Sequence, residues 1–240
     1  MKQVIVIPAR MKGTRLPGKP LIDLNGKPMI LHVWERASKV HPANDIYIAT
    51  EDTIIKKFCD INNIQCVITK KSNTAIERIK YFSDEIFADS YINIQGDEPL
   101  INIKDIRTIL DYNMKYPKRI VFGKTKCNKD EFDDHSKAKV VCDLKNKLLY
   151  SSRSGIPVSN KGIFREAERA IWIYAFNKQS LEKYHQYKKG TPLELIEDNE
   201  IIRFLEIGID VYCTDVVGDS WAVDEKKDVE IVIEKLRNEI

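Results

Sequence analysis

Residues 8–21 read PARMKGTRLPGKPL and place Arg10, Lys12, Arg15 and Lys19 among Gly13, Gly18 and three prolines, directly after the apolar run VIVI. A single Lys or Arg is ordinarily a solvated surface charge. Four of them in one flexible segment at a strand end reverse that preference and describe a loop that receives phosphate. Two familiar phosphate loops are excluded on chemical grounds. Gly13, Gly18 and Lys19 have P-loop spacing, but Pro20 stands where Ser or Thr must reach Mg²⁺ and offers neither hydroxyl nor amide N–H. A dinucleotide-binding turn needs G-x-G-x-x-G running straight into a helix, whereas Pro17 and Pro20 keep this loop extended. What remains is a loop whose glycines let the backbone approach a nucleotide and whose cations neutralise a triphosphate.

A second chemical motif is INIQGDEPL, where Asp97 follows Gly96 at the end of an apolar strand and a carboxylate can meet a hard metal ion. Taken alone, GDEP also reads as an ordinary acidic turn. Asp224, in AVDEKKD, has the pattern of a helix N-cap. His32, His41, His135 and His185 show neither metal-ligand spacing nor a nucleophile partner. Trp34, Trp172 and Trp221 read as packing residues, with the lining of a substrate pocket as the alternative for Trp172.

These motifs need elements to position them. Apolar β-type runs (QVIVIP, DIYIAT, IQCVIT, SYINIQ) alternate with helical periodicity over 28–40, 52–62, 74–87 and 103–116. Such alternation predicts right-handed βαβ units on a parallel sheet, with ligands at the carboxyl ends of the strands. Both loops follow strands and should open on the same edge. After residue 117 the runs RIVFGKT, AKVVCD, KLLYSS and RAIWIYAF predict an antiparallel or mixed section, AKVVCD and KLLYSS being joined by the turn LKNK. Segments 192–207 and 224–238 read as helices, with DVYCTDV a strand between them. The expected organisation is one α/β domain over 1–240 with an inserted, β-rich lobe at about 125–185.

Composition sets bounds on partners. With 43% hydrophobic residues the chain can bury a core, and 39 basic against 36 acidic residues leave a net charge of +3, too balanced for a general nucleic-acid or membrane surface. The five scattered cysteines lack a C-x-x-C pair, which points to reduced thiols and a cytoplasmic setting and away from structural zinc. No signal peptide or membrane span is expected.

The stretch IPARMKGTRLPGKPLIDLNGKPMILHVWERA closely resembles the N-terminal signature of the 3-deoxy-manno-octulosonate (Kdo) cytidylyltransferases, or CMP-Kdo synthetases. INIQGDEPLI, AKVVCD, LLYSSRSGIP and, more faintly, WAVDEKKDVE extend the resemblance. It implies a Rossmann-like nucleotidyltransferase fold with a mixed, mostly parallel sheet and a small dimerising lobe. It also implies transfer of CMP from CTP to the anomeric hydroxyl of a 2-keto sugar acid, with Mg²⁺ as cofactor and a homodimer as the assembly. On this resemblance Arg10, Arg15 and Lys19 hold the triphosphate. Lys19 is assigned to the α-phosphate region, and Arg15 to the β- and γ-phosphates because a guanidinium binds two oxygens at once. Pro8, Ala9, Gly13 and Thr14, with Thr74 and Ala75 of KSNTAIERI, complete the nucleotide site. Lys19, Arg15 and Asp97 are the expected catalytic groups. Asp97 and Asp224 are the expected metal ligands, one residue able to serve as cap and ligand together.

Arg78, Gln95, Arg153, Tyr174 and Glu200 are the acceptor residues that the resemblance implies. Departures concentrate there. Ala170 of AIWIY replaces a family His, Ile201 replaces a Gln, and Ala75 and Ile76 replace Gly and Thr. Losing polar partners relaxes or redirects selection for hydroxyls. Open alternatives are another acidic acceptor, including a phosphonate, a catalytically silent nucleotide-binding paralogue, and a uridylyl- or guanylyltransferase.

Overall fold

The computed structural model describes residues 1–13 and 15–238; Thr14, an expected nucleotide contact, lies outside them. In chain order the elements are β1 (Gln3–Ala9), β2 (Asp23–Leu24), β3 (Lys27–Pro28), α1 (Met29–Ser38), β4 (Ile46–Thr50), α2 (Thr53–Ile61), β5 (Gln65–Ile68), α3 (Ala75–Glu85), β6 (Ser90–Ile94) and α4 (Ile103–Lys115). There follow β7 (Ile120–Cys127), α5 (Lys129–Asp133), β8 (Lys139–Cys142), β9 (Leu148–Ser152), β10 (Ala167–Phe176), α6 (Lys178–His185), α7 (Pro192–Glu197), α8 (Ile202–Glu206), β11 (Val211–Asp215) and α9 (Lys226–Asn238).

A nine-stranded sheet runs β11-β7-β10-β6-β1-β4-β5, with β8 and β9 attached through β10. Strand β1 is parallel to β4 and β6, and β4 to β5. Strand β10 is antiparallel to β6 and β7. Val4, Ile5, Val6 and Ile7 are all fully buried, as a central strand covered on both faces requires. One layer packs Val4, Val6 and Phe122 against Ile79 and Phe82 of α3 and Phe204 of α8. The other packs Ile5, Ile7 and Ile173 against Ile30 and Val33 of α1 and Ile106 and Ile109 of α4. A third cluster, Leu24, Met29, Val223, Val232 and Leu236, docks α9 beside the first loop.

Because the chain leaves β1 toward β4 on one side while β6 returns on the other, the carboxyl ends of β1 and β6 form a switch point, the crevice where open α/β sheets bind ligands. Two boundaries differ from the sequence expectation. Strand β10 lies inside the main sheet between β6 and β7, so residues 167–185 belong to the body and the projecting part narrows to the β8–β9 hairpin with its flanking segments. The single helix expected over 192–207 is two, because Asp198 adopts a left-handed backbone (φ 45°) at the end of α7. Among the described residues no helix is long and apolar enough to cross a membrane.

Candidate active site

The first loop leaves β1 at Ala9, folds back through Gly18 at φ 74°, and enters a single 3-10 turn at Lys19. Lys19 Nζ donates to Asp97 Oδ2 at 2.5 Å and lies 3.4 Å from Asp224 Oδ1; Arg15 Nη2 reaches the same Asp224 oxygen at 3.2 Å. Burial works to lower the Lys19 pKa, but the charge and hydrogen bond of Asp97, helped by Asp224, outweigh it and raise it above its ordinary value. The residue is therefore a fixed ammonium.

Backbone geometry delivers both carboxylates. Gly96 lets the end of β6 pass β1 so closely that an added Cβ would sit 2.6 Å from Pro8 O. Val223 N donates to Asp97 O at 2.9 Å, which ties the segment before α9 to the end of β6. Asp228 Oδ2 accepts from Asp224 N and Glu225 N at 2.9 and 2.8 Å. That arrangement leaves the Asp224 side chain to the loop cations, while Asp228 satisfies the two amides that precede α9.

Two adjoining cavities meet at this cluster. The smaller, about 280 Å³, is lined by Pro8, Ala9, Arg10, Gly13, Arg15, Lys19, Thr74, Ala75, Arg78, Gln95, Asp97, Glu200 and Asp224, together with Ser72 and Asn73. Every described residue of the expected nucleotide set is thus gathered in one place. Arg10 Nη1 reaches Asn73 O at 3.4 Å and joins the two loops at its rim. The larger cavity, about 520 Å³, shares Arg15, Gln95, Asp97 and Asp224 and adds Glu98, Lys137, Arg169, Ala170, Trp172 and Trp221.

The expected acceptor residues divide. Gln95 lies on the shared wall, its Nε2 donating to Asn93 Oδ1 at 3.2 Å. Arg78 is 2% exposed and donates to Thr69 Oγ1 and Glu51 Oε2 at 2.8 and 3.0 Å, backing the smaller cavity. Glu200 accepts from Ala75 N and Ile76 N at 3.1 and 2.9 Å, so its carboxylate caps α3. Burial raises its pKa, and those two amides oppose the shift.

Two of the expected acceptor residues lie outside both cavities. Arg153 lines neither cavity: its Nε donates to Glu197 O, and its terminal nitrogens donate to the carbonyls of His135, Ser136 and Asp198. Tyr174 is 4% exposed in the core and stacks between Trp172 and Phe176, with ring centroids 6.1 and 5.5 Å away. It backs the wall that Trp172 forms. Sequence reasoning missed Glu98, Lys137, Arg169 and Asp228. Glu98 stands beside Asp97 in the same motif, and burial pushes its carboxyl up to about 7 against a hydrogen bond from Ser220.

A nucleotide crevice with a fixed cation and two converging carboxylates is the geometry of group transfer from a nucleoside triphosphate. Comparison with known proteins decides the family: the model of the cytidylyltransferase family matches residues 4–211. The chain belongs to the cytidylyltransferase family. Within the family it is 35% identical over 232 residues to the 3-deoxy-manno-octulosonate cytidylyltransferase of Escherichia coli, covering 93% of this chain and 91% of that one. It is 33% identical over 240 residues to the 8-amino-3,8-dideoxy-manno-octulosonate cytidylyltransferase of Shewanella baltica, covering 95% and 96%. Its fold superposes with a TM-score of 0.93, at 32% identity and full coverage of both chains, on a CMP:2-keto-3-deoxy-manno-octonic acid synthetase solved with CTP. The mixed sheet flanked by helices is the Rossmann-like nucleotidyltransferase fold.

Proposed function

We propose that the chain transfers CMP from CTP to the anomeric hydroxyl of a 2-keto-3-deoxy sugar acid of the Kdo type, releasing pyrophosphate. The observation that carries this reading is the convergence of Asp97 and Asp224 on the single positive charge of Lys19 Nζ, inside a crevice built by the phosphate loop. Two carboxylates beside a polyphosphate site are the donor set that Mg²⁺ uses, since it keeps phosphate and water oxygens for its other positions. Among the described residues no group of three His, Cys, Asp or Glu side chains offers an all-protein metal cage, which fits a metal shared with substrate.

When bound there, Mg²⁺ supplies neutralisation of the phosphate charge and a template for in-line attack. The protein supplies the rest. Lys19 holds positive charge where the α-phosphate and bridging oxygen gain negative charge, and Arg15 presents a guanidinium to the departing pyrophosphate. Ser72 to Ala75 and Pro8 to Arg10 face each other across the smaller cavity and form the slot for the base and ribose. The acceptor enters through the larger cavity and meets the nucleotide at the shared wall of Gln95 and Asp97. Orientation of the hydroxyl supplies much of the rate, and no histidine base is needed.

A homodimer belongs to the same reading, supported by exposed Leu149, Val158 and Ile163 on the hairpin lobe. The function is tested by pyrophosphate release from CTP and Mg²⁺ with Kdo, its 8-amino derivative, sialic-type acids and small phosphonates. Release with a 2-keto sugar acid and CTP, and not with UTP or GTP, supports the proposal. Tight CTP binding with no release across the panel identifies a silent nucleotide-binding protein instead.

A further inference from the structure

The larger cavity has a basic wall that the nucleotide chemistry does not use. Lys137 Nζ and Arg169 Nε both contact Glu131 Oε1, at 2.9 and 2.8 Å, and Arg169 Nη2 donates to Gly218 O at 2.7 Å. Glu131 and Arg169 are each 16% exposed at the side chain and Lys137 is 41% exposed, so the lysine is the open member of the cluster. The segment that carries it is held at four successive carbonyls. Buried Lys139 donates to Asp134 O and Lys137 O at 2.8 and 2.7 Å, while Arg153 donates to His135 O and Ser136 O at 3.2 and 3.1 Å. Lys137 and Arg169 share the one carboxylate of Glu131, which leaves the pair one positive charge in excess beside a cavity whose other wall carries Asp97, Glu98 and Asp224.

We propose that Lys137 and Arg169 bind the carboxylate of the acceptor and so restrict the larger cavity to acidic sugars, an inference that rests on the transfer reaction proposed above. Arg153, one of the expected acceptor residues, spends its guanidinium on backbone carbonyls and acts as a positioning residue for residues 135–136. A carboxylate between an ammonium and a guanidinium makes charge-assisted hydrogen bonds, which are stronger than neutral ones, and a neutral analogue leaves those donors unpaired. In a 2-keto sugar acid the anomeric carbon is bonded to the carboxyl carbon. Seating the carboxylate on this pair therefore fixes the attacking hydroxyl in the cavity that also contains Asp97 and Asp224. Trp172 and Ala170 supply an apolar wall for the C–H face of the sugar.

The test measures equilibrium binding to the full-length protein saturated with CTP in EDTA, so that turnover does not contribute. The probes are Kdo and its C1 carboxamide, and the variants are K137M and R169Q. The expected result is wild-type preference for the acid by at least about tenfold, with each variant losing about tenfold for the acid and keeping its affinity for the carboxamide and for CTP. No preference in the wild type, or an acid preference retained in both variants, overturns the assignment. Because Lys137 is partly exposed, K137M decides alone if R169Q does not fold. Pyrophosphate release with Mg²⁺ separates the two claims: a preference lost in the variants without any release defeats only the transfer reaction, and release with an unchanged preference defeats only the basic pair.

Discussion

Lys19 stays charged because the attraction of Asp97 and Asp224 exceeds the cost of its burial, and the same three side chains set the predictions at the residue scale. Replacing Asp97 by Asn keeps the shape and removes the charge. Turnover should fall by about a hundredfold or more, the scale of lost electrostatic preorganisation, while the unfolding midpoint stays near wild type; near-normal kcat with saturating Mg²⁺ contradicts the metal role. Gly96 faces a different constraint. A methyl group 2.6 Å from Pro8 O forces β1 and β6 apart, so Gly96→Ala should destabilise by about 1–3 kcal/mol in denaturant titrations and weaken CTP binding together. The loop cations stood out in the sequence because four of them crowd one glycine- and proline-containing segment at a strand end, whereas Asp97 alone reads as an acidic turn and owed its expected role to the family resemblance. Lys137 and Arg169 did not stand out, since each reads locally as an ordinary surface charge and acquires its neighbour only through the β8–β10 pairing.

At the scale of elements, two buried or half-buried carboxylates fasten the helices around the site. Glu197, at the end of α7, accepts from Ser152 Oγ, Tyr150 Oη and Arg153 N on or beside β9 at 2.7, 3.2 and 2.8 Å. Burial alone would raise its pKa, but those donors and the charge of Arg153 hold it below its ordinary 4.5. A carboxyl depressed in the folded state contributes stability above its unfolded pKa and loses it as pH falls through the folded one. Wild type should therefore lose stability below about pH 4.5, and Glu197→Gln should cost about 1–2 kcal/mol at neutral pH and flatten that part of the acid limb. Equal acid sensitivity in both proteins would count against this tie.

Asp228 is the second fastener. Asp228→Ala frees the amides of Asp224 and Glu225 and should raise the Mg²⁺ concentration needed for half-maximal rate several-fold, with CTP affinity in EDTA little changed. The helices α5 and α6 were not read from the sequence although their caps were present: Asn128 forms a capping box with Glu131, and Asn177 accepts from Ser180 N. Both are too short for apolar periodicity to show. The break at Asp198 was equally hidden, because it coincides with contacts that Glu197 and Asp198 make with β9 and with Arg153 beside it, distant in sequence.

For the whole molecule, topology explains why segments as distant as residues 8–20, 72–78, 95–98 and 222–228 share one crevice. The parallel order β6-β1-β4-β5 brings the exits of β1 and β6 together, and the third core cluster seats α9 over them. This much followed from the alternation of apolar runs and helical periods, since parallel units place all strand ends on one edge. The position of β10 between β6 and β7 did not, because an antiparallel run carries no local sign of which neighbours it will take. The most direct measurement is a crystal structure of the protein with CTP and Mg²⁺. The triphosphate should lie between the loop cations and Asp97, with the metal on Asp97 and Asp224 and the cytosine between residues 8–10 and 72–75. A nucleotide bound away from these segments, or a metal held without either aspartate, would show that the first loop, Asp97 and Asp224 do not form the transfer site.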